Sequence, residues 1–280
     1  MTNTGRDRHG EGPTGIRLVL RRLAFPILMA YAFIPLTFLV PILDSTRESV
    51  FDLNTWFALL VYGITETGGT TGASIVGVLM LGVLVTRGGV SGRRRLIEAG
   101  VIACFVIILV GGGAAINEYV IKPMFEIPRP NIVYLAGADG SGPLGMPVSE
   151  FYALGKEERR KHLRAVLAAE PPPVPLHRLI REHWIESTGY SLPSGHAFSA
   201  MFFATFFLAM GLSWLSMPRL LFPYLLLPWA VCVCYSRLIL RVHTATDISV
   251  GGLVGLLLGA LAFVLVTAAI MRRTSTIPKT

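Results

Sequence analysis

Three short polar clusters interrupt an otherwise apolar chain. Lys122 is followed seven positions on by Arg129-Pro130. The run Pro193-Ser194-Gly195-His196 forms the second cluster. Ser236-Arg237 leads to His243 and then to Asp247 in the third. Lys122, Arg129 and Arg237 are cations that could neutralise the three equatorial oxygens of a phosphoryl group. A Ser194-Gly195 step at a helix start offers a hydroxyl and unpaired backbone N–H groups, with a dipole that favours an anion. His243 and Asp247 are four apart and on a helix would share a face. A carboxylate so placed can hold the imidazole in one tautomer and stabilise the imidazolium. His196 supplies a second imidazole. Two histidines, one carboxylate and three cations suit phosphoryl transfer through a covalent phosphohistidine.

Each cluster alone has a plainer explanation. Lys122 and Arg129 could be interfacial anchors with outward-reaching heads. Glu118, four residues before Lys122, could pair with it and compete for its charge. Pro193–His196 could be a helix start with a serine cap, and Asp247 could be a cap as well. His243 and Asp247 beside Arg237 are harder to explain as packing. His9, His162, His177 and His183 read as solvated or interfacial, with His183 also a candidate for the wall of a substrate entrance. Gly111-Gly112-Gly113, deep in an apolar stretch, reads as close helix packing and not as a phosphate loop. Cys104, Cys232 and Cys234 all fall in apolar stretches. The last two are two apart and point different ways on a helix, so they read as small packing residues and not as a metal pair.

The elements that must position these clusters follow from composition. Of 280 residues, 52% are apolar and 15% charged, with mean hydropathy +0.60. That balance excludes a soluble globule, and three cysteines exclude a disulfide framework. Six stretches are apolar enough to cross a ~30 Å hydrocarbon core. They run over about Leu23–Leu43, Thr70–Val85, Leu96–Tyr119, Ser194–Leu215, Leu220–Leu238 and Asp247–Met271. The second is short and Gly-rich, and its start could lie within 56–69. The expected fold is an all-α membrane protein, a six-transmembrane-helix bundle. All three polar clusters fall at one end of it.

The basic residues give the orientation. Arg6, Arg8, Arg17, Arg21 and Arg22 precede the first span. Arg87, Arg93, Arg94 and Arg95 lie between the second and third, and Arg219 opens the fifth. Arg272, Arg273 and Lys279 follow the sixth. Asp44, Arg47, Glu48 and Asp52, after span one, show no basic excess. Both termini are therefore expected on the cytoplasmic side, with residues 1–22 a basic tail, 23–271 the six-span domain and 272–280 a short tail. The first residues carry no small-residue cleavage site and read as a tail with a retained span. Arg93–Arg95 read as part of the same signal, with contact to anionic lipid also open. The net charge of +8 is thus explained without nucleic acid as a partner.

One long outer segment, 123–192, separates the first two clusters. It is Pro-rich at first, then reads as a polar helix over Ser149–Glu170, stopped at Pro171–Pro175, with a second short helix over about Leu176–Ser187. Its place between two clusters makes it a candidate lid or substrate selector.

The spacing Lys122-x6-Arg129-Pro130, then Pro193-Ser194-Gly195-His196, then Ser236-Arg237-x5-His243-x3-Asp247 resembles the three-part signature of the type 2 phosphatidic acid phosphatase superfamily. Val148–Tyr152 and the stretch His183-Trp184 to Thr188-Gly189 look like its bacterial phosphatidylglycerophosphatase B-like branch. Arg241, inside the third motif, departs from the small residues common there. The resemblance implies that His243 attacks phosphorus, with Asp247 orienting it. His196 would protonate the leaving oxygen and then activate water. Lys122, Arg129, Ser194, Gly195 and Arg237 would hold the phosphoryl oxygens. It implies a membrane lipid phosphate or pyrophosphate as substrate, in a bacterial inner membrane with the site facing outward. No metal, cofactor or obligate protein partner is implied. A lipid A phosphatase or a lipid phosphotransferase would use the same residues. An anion transporter could also gather cations at span ends, though it has no need of the histidine–aspartate spacing. A vanadate-dependent haloperoxidase shares the pocket, but those relatives are soluble.

Overall fold

A computed structural model describes residues 13–40 and 51–275. Arg6, Arg8, His9, Leu43, Asp44, Arg47, Glu48 and Lys279, to which the orientation and span arguments appeal, lie outside the described residues. All regular structure among the described residues is helical. Among the described residues, five helical stretches are long and apolar enough to cross a membrane unaided, and a bent pair makes a sixth. The chain is an all-α membrane bundle.

Helix α1 (Pro13–Ala32) continues into a 3-10 turn at Pro35–Leu39, so the first crossing segment begins at Gly15, well before Leu23. Val19, Leu23, Ile27 and Ala30 recur at helical spacing and are buried, while Arg17, Arg21 and Arg22 are exposed on the same helix. These arginines sit on the span because their heads can reach outward along long stems. The second crossing is α2 (Trp56–Gly68) and α3 (Thr70–Val85), which meet at 63° about Gly69. The Gly-rich stretch is thus only half of a broken span.

The third, α4 (Gly92–Phe125), starts four residues earlier than expected because Ser91 caps it, accepting from Arg94 N–H. It carries π-helical turns at Ile107–Gly111 and Asn117–Ile121. Such turns shift which residues face a neighbour and are frequent at functional sites. Glu126 takes a left-handed conformation (φ 50°) and ends the helix.

The outer segment holds α5 (Pro130–Ala136), α6 (Val148–Ala153), α7 (Lys156–Leu167) and α8 (Arg178–Glu186). The single polar helix expected over 149–170 is two. Gly155 breaks it, and its N–H is taken by the Glu158 carboxylate at 2.9 Å, the start of a new helix. These helices share a small core, with Ile132, Leu135, Phe151, Leu163 and Trp184 packed against Leu240 and Val242. Trp184 Nε1–H also donates to the Leu240 carbonyl at 2.8 Å. The segment is therefore a cap bound to the bundle.

Helix α9 (Gly195–Trp214) is the hub, with every residue from Ala197 to Gly211 buried. It packs against α10 (Leu221–Ile239) and, most closely, α11 (Ala245–Ser275). Gly251, Gly255 and Gly259 repeat every four residues on α11. A Cβ at Gly255 would stand 2.2 Å from the Phe198 carbonyl oxygen, and one at Gly251 would stand 2.4 Å from that of Ser194. Only glycine permits this approach, which draws the starts of α9 and α11 together. Ser194 N–H then donates to the Asp247 carbonyl at 3.0 Å.

Other expectations need adjusting. Gly113 does pack closely, since a Cβ there would stand 2.8 Å from the Phe198 ring, but a Cβ at Gly111 or Gly112 would meet nothing within 4 Å. Cys234 is buried, whereas Cys104 and Cys232 face the bundle surface and pack no core. Arg94 is more than a topology signal. Together with Arg87 it holds the fully buried Glu98, at 2.9 and 2.6 Å, at the end of the bundle opposite the polar clusters.

Candidate active site

The three clusters converge on one cavity of about 890 Å³. Lys122, Arg129, Gly195, His196, Arg237 and His243 line its polar end. Its walls continue between α3 and α4 along Ala73, Gly77, Leu81, Ile102, Val106 and Val110, a trough of apolar side chains. Ser194 and Asp247 stand behind the lining: both are buried, and both serve the walls that hold the others.

Arg129 is fixed first by chain geometry. It follows the turn at Glu126 and caps α5 in an extended conformation, with Pro130 in the first turn. Its side chain turns inward, Nε–H donating to the Gly189 carbonyl at 2.8 Å and NH1 to the Val242 carbonyl at 3.0 Å. One guanidinium thus ties the α4–α5 turn to the loops before α9 and α11. The same NH1 lies 3.4 Å from His243 Nε2. Burial lowers the pKa of Arg129 below its ordinary range, against the opposing pull of Tyr152 and Glu118.

His243 is not on a helix, contrary to the shared-face expectation. Helix α11 begins two residues later, and His243 lies in the turn that precedes it. Arg241 makes that turn by adopting φ 59°, after which Val242 and His243 N–H both point back to the Arg237 carbonyl. Only glycine adopts that left-handed conformation without strain. Here Arg241 is buried over the Tyr134 ring at 4.0 Å instead. Thr244 and Asp247 then form a capping box: Thr244 N–H donates to Asp247 Oδ2 at 2.7 Å, and Asp247 N–H to Thr244 Oγ1 at 3.3 Å. The box carries Asp247 Oδ2 to 3.5 Å from His243 Nδ1. Ser191 adjoins the pair, its hydroxyl donating to the Pro128 carbonyl at 3.3 Å and its backbone facing His243. Burial pushes the pKa of His243 well below 6.5, and the Arg129 charge adds to the effect. The imidazole is therefore neutral near pH 7. The carboxylate side assigns its proton to Nδ1 and leaves Nε2 open toward Arg129.

His196 sits in the first turn of α9. The bend of the second span is wrapped against it, so that a Cβ at Gly69 would stand 3.4 Å from His196 Nε2. Ser199 Oγ donates to the Gly68 carbonyl at 3.1 Å and pins that bend. Ser194 behaves as the serine cap, accepting from Ala197 N–H at 3.4 Å. Lys122 Nζ is paired with Glu118 Oε2 at 2.6 Å, as their spacing allowed.

Sequence reasoning passed over several residues at this site. His183, read as solvated or interfacial, is largely buried, with Nε2 3.0 Å from Arg237 NH1. Thr65 Oγ1 accepts from that same NH1 at 2.7 Å. Asn117 also lines the cavity. Its Nδ2 donates to the Pro193 carbonyl at 3.2 Å, which fixes the amide and leaves a buried Oδ1 with no partner among the described residues. The available signal was polar residues inside apolar helices, Thr65 and Glu66 in α2 and Asn117 in α4.

Among the described residues, Arg129 and Arg237 each bury a guanidinium that no carboxylate pairs with. A buried cation without an anion is costly by several kcal/mol, so this end of the cavity is built to receive one.

The PAP2 superfamily model matches residues 99–271. Phosphatidylglycerophosphatase B of Escherichia coli (strain K12) is 36% identical over 155 residues, which cover 55% of this chain and 56% of that protein. The phosphatidylglycerophosphatase B of Escherichia coli O157:H7 and that of Shigella flexneri match to the same extent. The chain thus spans just over half the length of the curated relatives it matches.

Proposed function

The chain belongs to the PAP2 superfamily, and from that premise we propose that it is an integral-membrane lipid phosphatase working through a phosphohistidine. The observation that carries the reading is the cavity itself. Two buried guanidiniums, which among the described residues have no carboxylate partner, stand at one end, and apolar walls lead away from them. An amphiphile with a phosphate head and hydrocarbon tails has that same division.

In this reading, His243 Nε2 attacks phosphorus, forming the N–P bond as the P–O bond to the lipid breaks. His196 gives its proton to the departing oxygen. Asp247 holds Nδ1–H and stabilises the imidazolium as charge develops. Lys122, Arg129 and Arg237, with the Ser194-Gly195 helix start, neutralise the phosphoryl oxygens. The mechanism therefore calls for no metal or other cofactor. His196 then takes a proton from water, the resulting hydroxide attacks phosphorus, and the N–P electrons return to Nε2. Inorganic phosphate leaves.

The name of the similar proteins suggests phosphatidylglycerol phosphate as a substrate. Undecaprenyl pyrophosphate and phosphatidic acid are further substrates of this proposal, because the residues named read the phosphate and not the tail. The arginines at the far end of the bundle, Arg87, Arg94, Arg95 and Arg219, support an orientation with both termini cytoplasmic. The cavity's polar end would then face outward across a bacterial inner membrane. The test is phosphate release by the protein purified in detergent, in the presence of a chelator, from the three lipids side by side. Release by the wild type and none by His243→Ala supports the reading, and equal release by both ends it.

A further inference from the structure

Arg237 owes its pose to residues that the phosphatase mechanism does not use. It stands at the end of α10, only 2% exposed, and lines the cavity. Its NH1 donates to Thr65 Oγ1 at 2.7 Å and lies 3.0 Å from His183 Nε2. The other ring nitrogen of His183, Nδ1, lies 3.6 Å from Glu66 Oε1. Tyr62 sets its ring edge-on to the same imidazole, with centroids 5.8 Å apart. Thr65 and Glu66 are neighbours on α2, just before the bend, and His183 belongs to α8 of the outer cap. Three elements therefore meet on one guanidinium.

The donor inventory fixes the direction of these contacts. A guanidinium has only donors, so His183 Nε2 must be the acceptor and the ring proton must sit on Nδ1, toward Glu66. Burial supports this form by pushing the pKa of His183 down to about 4, against the opposing pull of Glu66. The order carboxylate, imidazole, then acceptor nitrogen repeats that of Asp247 and His243. In both, the acceptor nitrogen faces a buried guanidinium, Arg237 at 3.0 Å here and Arg129 at 3.4 Å there.

We propose that Glu66 and His183 are a positioning pair that fixes the Arg237 guanidinium for the phosphoryl group, making α8 of the outer cap part of the phosphate site. Without His183, NH1 keeps only its Thr65 bond and the guanidinium can turn away. Phosphate binding weakens before any chemistry is lost, because His243, Asp247 and His196 are held by other elements. The outer segment then does more than cover the cavity: it aims one of the cations. The inference rests on the phosphatase reading, and its test is arranged so that the two can fail separately.

The test compares His183→Leu, His183→Gln and Glu66→Gln in detergent, by steady-state kinetics on a lipid phosphate and by inhibition with orthovanadate. His183→Leu removes the acceptor and is expected to raise KM and the vanadate inhibition constant about tenfold each, the size of one lost charge-assisted hydrogen bond. The kcat should fall far less. His183→Gln retains a carbonyl oxygen for Arg237 and an N–H for Glu66, and should recover KM to within about threefold of wild type. Glu66→Gln should raise KM about threefold, and it stands as the deciding variant if His183→Leu does not fold. A merely structural histidine would make Leu and Gln equally harmful, or would lower kcat and folded yield with KM unchanged. Either pattern overturns the proposal. So does a wild-type KM in His183→Leu or in Glu66→Gln. Those results would leave the phosphatase reading standing, which is tested separately by phosphate release from His243→Ala beside the wild type.

Discussion

Asp247 Oδ2 accepts the Thr244 N–H at 2.7 Å and, with the same oxygen, stands 3.5 Å from His243 Nδ1. A capping interaction that starts α11 is thus also the one that aims the carboxylate at the imidazole. Asp247→Asn separates the two roles. The amide oxygen can still cap the helix, but a neutral group cannot stabilise an imidazolium. The expected result is a kcat lowered by ~10²–10⁴-fold, the usual range for a lost proton-holding partner. The melting temperature should change little. Paired kinetics and thermal unfolding of the variant check this, and a kcat within threefold of wild type would contradict it.

Glu118 holds the Lys122 ammonium at 2.6 Å within the cavity lining, so an arriving phosphoryl oxygen competes with a carboxylate for its charge. Glu118→Gln keeps the shape and removes the competitor. We expect KM for a lipid phosphate to fall about threefold, and Lys122→Ala to raise it at least tenfold. A rise in KM for Glu118→Gln would show instead that Glu118 positions the lysine.

The acid limit of activity follows from His243. A nucleophile acts when deprotonated, and burial with Arg129 nearby holds its pKa well below 6.5. The lowered value extends the active form toward acid, and activity is lost only as pH falls through the folded pKa. The acid limb of kcat/KM should therefore lie below pH 6.5. A phosphate monoester titrates near pH ~6 on its own account. Profiles for two substrates of different phosphate pKa separate the contributions, since an enzyme limb is common to both. A shared limb at or above 6.5 would contradict the assignment.

The membrane bundle was legible because apolar length is a coarse property that survives small errors in helix ends. The candidate site was legible because Lys122, Arg129, His196, Arg237, His243 and Asp247 carry rare chemistry at fixed spacing. What escaped was their support. His183 reaches Arg237 from 54 positions away, and no local periodicity encodes such a contact. The bend at Gly69 and the π-turn at Asn117 depend on what packs outside the helix, His196 in one case and Pro193 in the other. His243 and Asp247 have helical spacing without both lying on a helix, because Arg241 and the Thr244 cap set the turn.

The central claim is a covalent bond between phosphorus and His243 Nε2, and it can be measured directly. In His196→Gln the group that activates water is missing, so an aryl phosphate, whose leaving group needs no proton, should load the enzyme faster than it is discharged. Rapid quenching in base, followed by mass spectrometry of the digested protein, should find about one phosphate per chain, on His243, and none in a His196→Gln/His243→Ala variant. Phosphate on another residue, or turnover with no phosphorylated enzyme in His196→Gln, would contradict the account.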